Sequence, residues 1–191
     1  MIIGLSGLKN SGKDTVAAYL VKEHGFERKA FADPLKQSVA ALFNIPFSEV
    51  DKLKNDTDVA VEIRLFTQGV SSSLQPEYRA WSFREFLQRY GTESHREVFG
   101  MDFWVDYTLP VQGFYPGRAI VVTDVRFENE ADRVRFLGGS IWYVDRGQES
   151  TDEHVSEQFD FVMDRIIENT GTVMDLYERV EELLALTPTN S

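Results

Sequence analysis

Short apolar runs alternate with segments of helical periodicity along most of the chain. The runs at 1–6 and 119–123 hold few polar residues, which is typical of strands buried on both faces of a parallel sheet. Further strands are predicted at 26–31, 140–144 and 165–168. Apolar residues three or four positions apart predict helices at 13–24, 33–42, 81–99 with a break at Gly91, 102–109, 128–137 and 173–186. This alternation predicts an α/β fold with a mainly parallel sheet and helices on both faces.

The segment from about 44 to 80 interrupts the alternation. It contains the charged stretch 51–58 and, at 67–76, the least periodic residues of the chain. We expect a mobile helical or loop insertion with a flexible surface loop, because strand and helix patterns resume after it without a second opening unit. A single domain is therefore predicted for the 191 residues, with a frayed tail from Thr187 onward.

Composition limits the partners that this chain can take. Its 31 acidic and 20 basic residues give a formal charge of −11, so the surface repels DNA and RNA, and a polynucleotide partner is not expected. There is no cysteine, which excludes disulfides and thiolate catalysis. The N-terminal apolar run is too short for a secretory signal, and no stretch approaches the ~18 apolar residues of a membrane span. We expect a cytoplasmic protein without a membrane partner.

A glycine-rich loop joins the first predicted strand to the first predicted helix. Residues 7–13 match the pattern G-x-x-x-x-G-K, whose curled backbone points successive N–H groups at phosphate oxygens. Lys13 is expected to reach the β- and γ-phosphates as a point charge. The loop therefore predicts a binding site for a nucleotide such as ATP. Its candidate ligands are Gly7, Lys9, Asn10, Ser11, Gly12 and Lys13.

Three residues are candidates for binding Mg²⁺. The residue after Lys13 is commonly a Ser or Thr that binds the metal, but here Asp14 follows and Thr15 comes one place later, so either side chain can supply the ligand. Asp124 ends the buried run at 119–123, where open α/β sheets bind ligands. Its carboxylate can hold the water shell of Mg²⁺ or act as a base, and the alternative is an N-cap for the next helix.

Arginines near predicted element ends are candidates for binding phosphate. Guanidinium groups bind phosphate through two hydrogen bonds and neutralise the charge that phosphoryl transfer develops. Each arginine taken alone is better explained as a solvated surface residue, and the pattern does not choose among them. The set comprises Arg84, Arg89, Arg96, Arg126 and Arg146.

Several segments together resemble the T4-like phage deoxynucleoside monophosphate kinases. They are SGLKNSGKDT at 6–15, WSFREFLQRYGTE at 81–93, DFWVDY at 102–107, TDVRFENEAD at 123–132, VDRGQESTDEHVSE at 144–157 and IENTGTVMDL at 167–176. The segment 44–80 has no counterpart in this resemblance. The resemblance implies a P-loop kinase fold of the nucleoside monophosphate kinase type, use of ATP and Mg²⁺, dNMP acceptors and a homodimer. It also implies a cytoplasmic location, which is the host cytoplasm if the chain is phage-encoded.

The resemblance also assigns roles by position. It places Lys9, Asn10, Gly12, Lys13, Asp14 and Thr15 at the ATP phosphates, Arg146 beside them in a lid-like segment at about 146–160, and Asn169 near the adenine. It places Lys36, Arg84, Gln88, Gly91 and Thr92 near the acceptor, and Trp104, Asp124, Arg126 and Glu130 along the acceptor or the metal. Two alternatives remain at this point: a kinase for another small phosphorylated metabolite, such as phosphomevalonate, and a nucleotide-binding switch without transfer activity.

Overall fold

The computed structural model describes residues 1–65, 77–111, 117–147 and 159–186. The strands are β1 (Ile2–Ser6), β2 (Glu27–Lys29), β3 (Ala60–Leu65), β4 (Glu77–Ser82), β5 (Ile120–Val122), β6 (Ser140–Asp145) and β7 (Arg165–Glu168). The helices are α1 (Lys13–His24), α2 (Ala32–Phe43), α3 (Phe47–Asn55), α4 (Phe83–Gly91), α5 (Glu97–Phe99), α6 (Phe103–Thr108), α7 (Glu128–Phe136) and α8 (Val173–Ala185), with a π-helical turn at Thr92–Arg96 between α4 and α5.

The chain divides into two compact units. The first comprises Met1–Ala32 and Trp104–Ser191, and the second comprises Asp33–Phe103. The prediction that residues 1–191 act as one domain stays a prediction. Among the described residues, no helix is both long enough and apolar enough to cross a membrane.

The first unit is built on a five-stranded sheet in the order β2-β5-β1-β6-β7. Every pair of neighbouring strands is parallel, with Ile3 opposite Val121 on one side and opposite Ser140 on the other. This confirms the predicted parallel sheet. The central strand is β1, so the glycine-rich loop that follows it leaves from the middle of the carboxyl edge.

Both faces of this sheet are covered by helices, as predicted. Side chains of β1 alternate, because successive residues of a strand point to opposite faces. Ile3 and Leu5 belong to a buried cluster with residues of α1 and α8, whereas Ile2 belongs to another cluster with residues of α6 and α7. Both clusters are almost fully shielded from solvent, which fixes the strand that carries the loop.

The second unit shows where the sequence-based prediction was wrong. Trp81 and Ser82 were predicted as helical, but they end β4, and Trp81 pairs with Val61 in an antiparallel hairpin. The helical spacing begins only at Phe83, where the Ser82 hydroxyl accepts a hydrogen bond from the Glu85 N–H at 3.2 Å and caps α4. The helix expected to reach residue 99 passes into the π-helical turn at Thr92.

The segment 44–80 contains one helix, α3, and the hairpin strands β3 and β4. The hairpin was not predicted. Val50 of α3 is fully buried in a cluster with Val61 and Phe83, so this segment supplies part of the core of the second unit. The loop predicted at 67–76, the tail from Thr187, and most of the lid-like segment 146–160 lie outside the described residues.

Candidate active site

The glycine-rich loop has a backbone that only glycine adopts comfortably at its two ends. Gly7 has φ +141° and Gly12 has φ +109°. A Cβ at Gly7 would lie 2.5 Å from the backbone oxygen of Val144, and one at Gly12 would overlap the side-chain nitrogen of Asn169. Between them, Asn10 takes the left-handed conformation, with φ +63°. The loop is therefore a tight cradle packed against the ends of β6 and β7.

Lys13 bends back over this cradle. Its Nζ donates hydrogen bonds to the backbone oxygens of Gly7, at 2.8 Å, and Leu8, at 2.7 Å. Ser11 is 1% exposed, and its hydroxyl has no hydrogen-bond partner among the described residues. An ammonium group, a buried hydroxyl and a helix N-terminus at one loop fit a phosphate group, which accepts hydrogen bonds from all three.

Two side chains from the neighbouring strands hold the outer side of the loop. Arg146 directly follows β6, and its Nη1 donates a hydrogen bond to the backbone oxygen of Asn10 at 3.2 Å. Asn169 directly follows β7, and its Nδ2 donates a hydrogen bond to the backbone oxygen of Ser11 at 2.7 Å. The structure thus brings Arg146 and Asn169, both predicted to lie at the ATP site, to the loop. The side-chain amide of Asn169 contacts the loop backbone.

Helix α8 begins shortly after Asn169 and has a cap of its own. Thr172 and Asp175 cap this helix reciprocally: the Asp175 Oδ2 accepts from the Thr172 N–H at 2.6 Å, and the Thr172 hydroxyl accepts from the Asp175 N–H at 3.3 Å. Hydrogen bonds from Thr172 lower the pKa of Asp175. Leu176, one turn into α8, is buried in the same cluster as Leu5 of β1. The start of α8 is therefore held by its own cap and by the core of the first unit.

Asp124 follows β5, and both of its carboxylate oxygens accept hydrogen bonds from backbone amides. Its Oδ1 accepts from the Phe31 N–H at 2.7 Å, and its Oδ2 accepts from the Ala32 N–H at 2.9 Å, where α2 begins. The alternative that Asp124 caps the helix after it is wrong. Glu130 does that, with Oε2 accepting from the Arg126 N–H at 2.8 Å and the Phe127 N–H at 3.2 Å.

The candidate metal ligands lie at the carboxyl edge of the sheet. Asp14 is exposed and Thr15 is half-buried in the first turn of α1, and Asp124 is half-buried after β5. Within the described ranges no group of three or more His, Asp or Glu side chains lies together in a way that would hold a metal ion. A donor set of one or two protein oxygens suits Mg²⁺, which keeps several waters and binds phosphate oxygens of the substrate.

In the second unit, helix α3 pairs with two of the predicted acceptor residues. The Lys36 Nζ lies 2.8 Å from Asp51, and the Lys36 side chain is only 18% exposed. The Arg84 Nη2 donates to the side-chain oxygen of Asn55 at 3.1 Å. Sequence reasoning missed both partners, because Asp51 and Asn55 lie in a segment read as a mobile insertion. The four-residue spacing of Asp51 and Asn55 on one helix was the available signal.

The remaining acceptor candidates divide between the units. Gln88 lies in α4, Gly91 ends it, and Thr92 begins the π-helical turn. A Cβ at Gly91 would lie 3.0 Å from the Leu35 side chain, so α2 and α4 pack closely there. Trp104, in the first unit, is 5% exposed in α6 and is a core residue of that unit.

The fold and the loop define a P-loop nucleotide-binding protein. A model of the deoxynucleotide monophosphate kinase family matches residues 1–62 and 46–180. The chain belongs to this family of kinases.

Three viral relatives are similar over nearly the whole chain. A protein of Acanthamoeba polyphaga mimivirus, a predicted deoxynucleotide monophosphate kinase, is 31% identical, with 94% of each chain covered. The deoxynucleotide monophosphate kinase of Escherichia phage RB69 is 26% identical, over 96% of this chain and 99% of the relative. That of Enterobacteria phage T4 is 22% identical, over 96% of this chain and 98% of the relative. The metabolite kinase and the inactive switch are accordingly not favoured.

Two solved structures are similar at a lower level. The APS kinase of Mycobacterium tuberculosis is 14% identical with a TM-score of 0.41, over 97% of this chain and 95% of that chain. The Thermus thermophilus protein TT1252 is 17% identical with a TM-score of 0.47, over 99% of this chain and 98% of that chain.

Proposed function

We propose that the chain transfers the γ-phosphoryl group of ATP to the 5′-phosphate of a deoxynucleoside monophosphate, giving a dNDP and ADP. The observation that supports this most directly is the loop at residues 7–13, which combines glycines at positive φ with a lysine folded over the cradle. It leaves the central strand of the sheet at the edge where ligands bind in open α/β folds.

On the donor side, the residues of the loop bind the phosphates of ATP. Backbone N–H groups of the cradle surround the β-phosphate, and the α1 N-terminus adds partial positive charge. Lys13 exchanges its contacts with the loop carbonyls for oxygens of the β- and γ-phosphates. Arg146, at the rim of the loop, neutralises charge that moves onto the leaving ADP oxygen.

Mg²⁺ would supply positive charge that offsets part of the negative charge of the phosphates. Asp14 or Thr15, at the start of α1, and Asp124, after β5, would hold this ion. Asp124 also fixes residues 31 and 32 through its two hydrogen bonds. These residues immediately precede the segment that carries Lys36.

On the acceptor side, side chains rather than backbone groups bind the substrate. We propose that Lys36 and Arg84 bind the 5′-phosphate, and that Gln88, Gly91, Thr92, Trp104, Arg126 and Glu130 shape the rest of the site. An acceptor phosphate oxygen attacks the γ-phosphorus as the bond to the ADP oxygen breaks. The attacking oxygen is already anionic, so positioning and charge neutralisation supply most of the rate and no strong base is required.

Incubating the protein with ATP, Mg²⁺ and each dNMP in turn tests the proposal. ADP and dNDP should form together and only when an accepted dNMP is present. Lys13→Met keeps the length of the side chain and removes its charge, and should lower turnover by about 10²–10³-fold or more. Lys22→Met is the matched control at the far end of α1, where the lysine side chain is 81% exposed. Release of ADP without an acceptor, or full turnover by Lys13→Met, would contradict the proposal.

The compartment and the assembly are part of the same proposal. ATP and dNMP are cytoplasmic metabolites, so the reaction takes place in the cytoplasm, that of the host for a phage-encoded chain. The homodimer implied by the resemblance is tested by sedimentation equilibrium, in which a mass of one chain at micromolar concentration would contradict it.

A further inference from the structure

The side chain of Asn169 makes a contact that bears on the shape of the phosphate loop. Its backbone N–H donates to the Asp145 oxygen at 2.6 Å, which extends the pairing of β6 and β7 by one residue. Its Nδ2 then donates to the Ser11 oxygen at 2.7 Å, across 158 residues of sequence. The amide group is thus placed by the sheet and ends on the loop.

Five backbone carbonyl groups of the loop accept hydrogen bonds. Those of Gly7 and Leu8 accept from Lys13, that of Asn10 accepts from Arg146, that of Ser11 accepts from Asn169, and that of Gly12 accepts from the Val16 N–H at 3.0 Å. In a planar trans peptide, the C=O of one residue and the N–H of the next point in opposite directions. Holding the Ser11 carbonyl toward Asn169 therefore aims the Gly12 N–H away from Asn169.

Asn169 and Gly12 fit each other sterically. A Cβ at Gly12 would overlap the Asn169 Nδ2, so the amide occupies the space that a side chain at position 12 would take. Gly12 also has φ +109°, which disfavours any other residue there. The Asn169 amide therefore both packs against Gly12 and fixes the direction of the peptide unit that joins Ser11 to Gly12.

We propose that Asn169 is a positioning residue for the phosphate loop, and that it acts on the phosphates of a nucleotide through Ser11 and Gly12 without reading the base. This inference rests on the proposed function, because it requires that the loop bind phosphates. It differs from the role near the adenine that the family resemblance implies. The two roles predict different outcomes for a ligand that has phosphates and no base.

Inorganic tripolyphosphate is that ligand. Calorimetric titrations of the full chain with ATP and with tripolyphosphate, each with Mg²⁺, should show that Asn169→Ala weakens both by the same factor. We expect about tenfold, the usual effect of one hydrogen bond between partly buried groups. Steady-state kinetics should show a higher KM for ATP, with the KM for dNMP unchanged.

Thr172→Ala separates positioning from loss of stability. It removes the cap of α8 three residues after Asn169 and leaves the amide in place. We expect a lower thermal midpoint for Thr172→Ala, with affinities for both ligands close to wild type. For Asn169→Ala we expect weaker affinities for both ligands and a thermal midpoint close to wild type. Without ligand, the backbone amides of residues 7–13 should exchange hydrogen faster in Asn169→Ala than in wild type, and at the wild-type rate in Thr172→Ala.

Three other outcomes of these titrations would overturn the inference, each for a different reason. If Asn169→Ala weakens ATP and leaves tripolyphosphate unchanged, Asn169 reads the base. If it weakens neither, the contact has no role in binding. If wild type binds neither ligand, the proposed phosphate site is wrong and this inference fails with it, a result that the wild-type titrations alone identify.

Discussion

The proposed phosphate loop in the first unit and the proposed acceptor-side helices in the second unit hold their lysines in different ways. Lys13 binds two backbone carbonyl oxygens, which carry no net charge. Lys36 binds the carboxylate of Asp51 at 2.8 Å. At Lys13 an incoming phosphate replaces these neutral oxygens, whereas at Lys36 it must displace a carboxylate. A phosphate site made of backbone groups can therefore be formed before the ligand binds. In a site made of long charged side chains, those side chains pair with one another until the ligand replaces one partner.

The largest effect is expected where the backbone of the loop has no room. Gly7→Ala places a Cβ 2.5 Å from a backbone oxygen at φ +141°, so the loop must change shape. We expect a loss of about 3 kcal/mol in the free energy of unfolding and no measurable ATP binding by calorimetry.

Gly25→Ala is the matched control for that change. Gly25 also has positive φ, +69°, but nothing lies within 4 Å of its added Cβ. It should cost only about 1 kcal/mol, the usual strain of a left-handed alanine after a helix, and should leave ATP affinity unchanged. Equal effects of the two changes on ATP binding would remove the basis for a preformed cradle.

Asp124→Asn comes next, because it alters a charge that binds backbone amides. The amide NH₂ of asparagine faces a backbone N–H where the carboxylate accepted a hydrogen bond, which should cost about 1–3 kcal/mol of stability. If Asp124 also serves Mg²⁺, turnover should fall by more than ATP affinity. Asp132→Asn, on the exposed side of α7, is the control. Equal losses of turnover and affinity would leave Asp124 with a purely structural role.

The acceptor-side lysine gives a smaller and more specific effect. Lys36→Met should raise the KM for dNMP by about tenfold, the value of one charged hydrogen bond, and should not change ATP affinity. Asp51→Asn should lower the same KM by up to about fivefold, because the competing carboxylate is gone and an exposed ion pair contributes about 1 kcal/mol or less. A higher KM in Asp51→Asn would mean that Asp51 positions Lys36 instead of competing for it.

The smallest effect is the dependence of stability on pH at the start of α8. Hydrogen bonds from Thr172 lower the pKa of Asp175 below its ordinary 3.8, so the carboxylate form stabilises the folded state. That contribution is present above about pH 4 and is lost as the pH falls through the lowered pKa. The difference in thermal midpoint between wild type and Asp175→Asn should therefore shrink from pH 6 to pH 3. A difference that stays constant would mean that the cap does not depend on charge.

What the sequence predicted well was local. Strand β1, the glycine turn and helix α1 follow from apolar runs and glycines within a span of 25 residues, and the structure confirms their order and bounds to within about one residue. Asp124 was also located correctly at the end of β5, because a strand and its carboxyl end can be read from one apolar run.

What the sequence missed depended on distant partners. The β3–β4 hairpin pairs Val61 with Trp81, and the aromatic spacing after Phe83 made Trp81 look like the start of a helix. The partners of Lys36 and Asp124 lie 15 and about 93 residues away along the chain. No local pattern marks the residue that will meet Ser11, since the fold alone brings β7 to the loop.

The contact between Asn169 and Ser11 also sets an order of events during synthesis. Ser11 leaves the ribosome 158 residues before its partner, a delay of roughly 8–30 s at bacterial translation rates. Throughout that interval the nascent chain already carries the whole glycine motif without the amide that orients it. If Asn169 positions the loop as proposed, the loop reaches its full affinity for phosphates only after the strand that carries residue 169 has been synthesised and has joined the sheet.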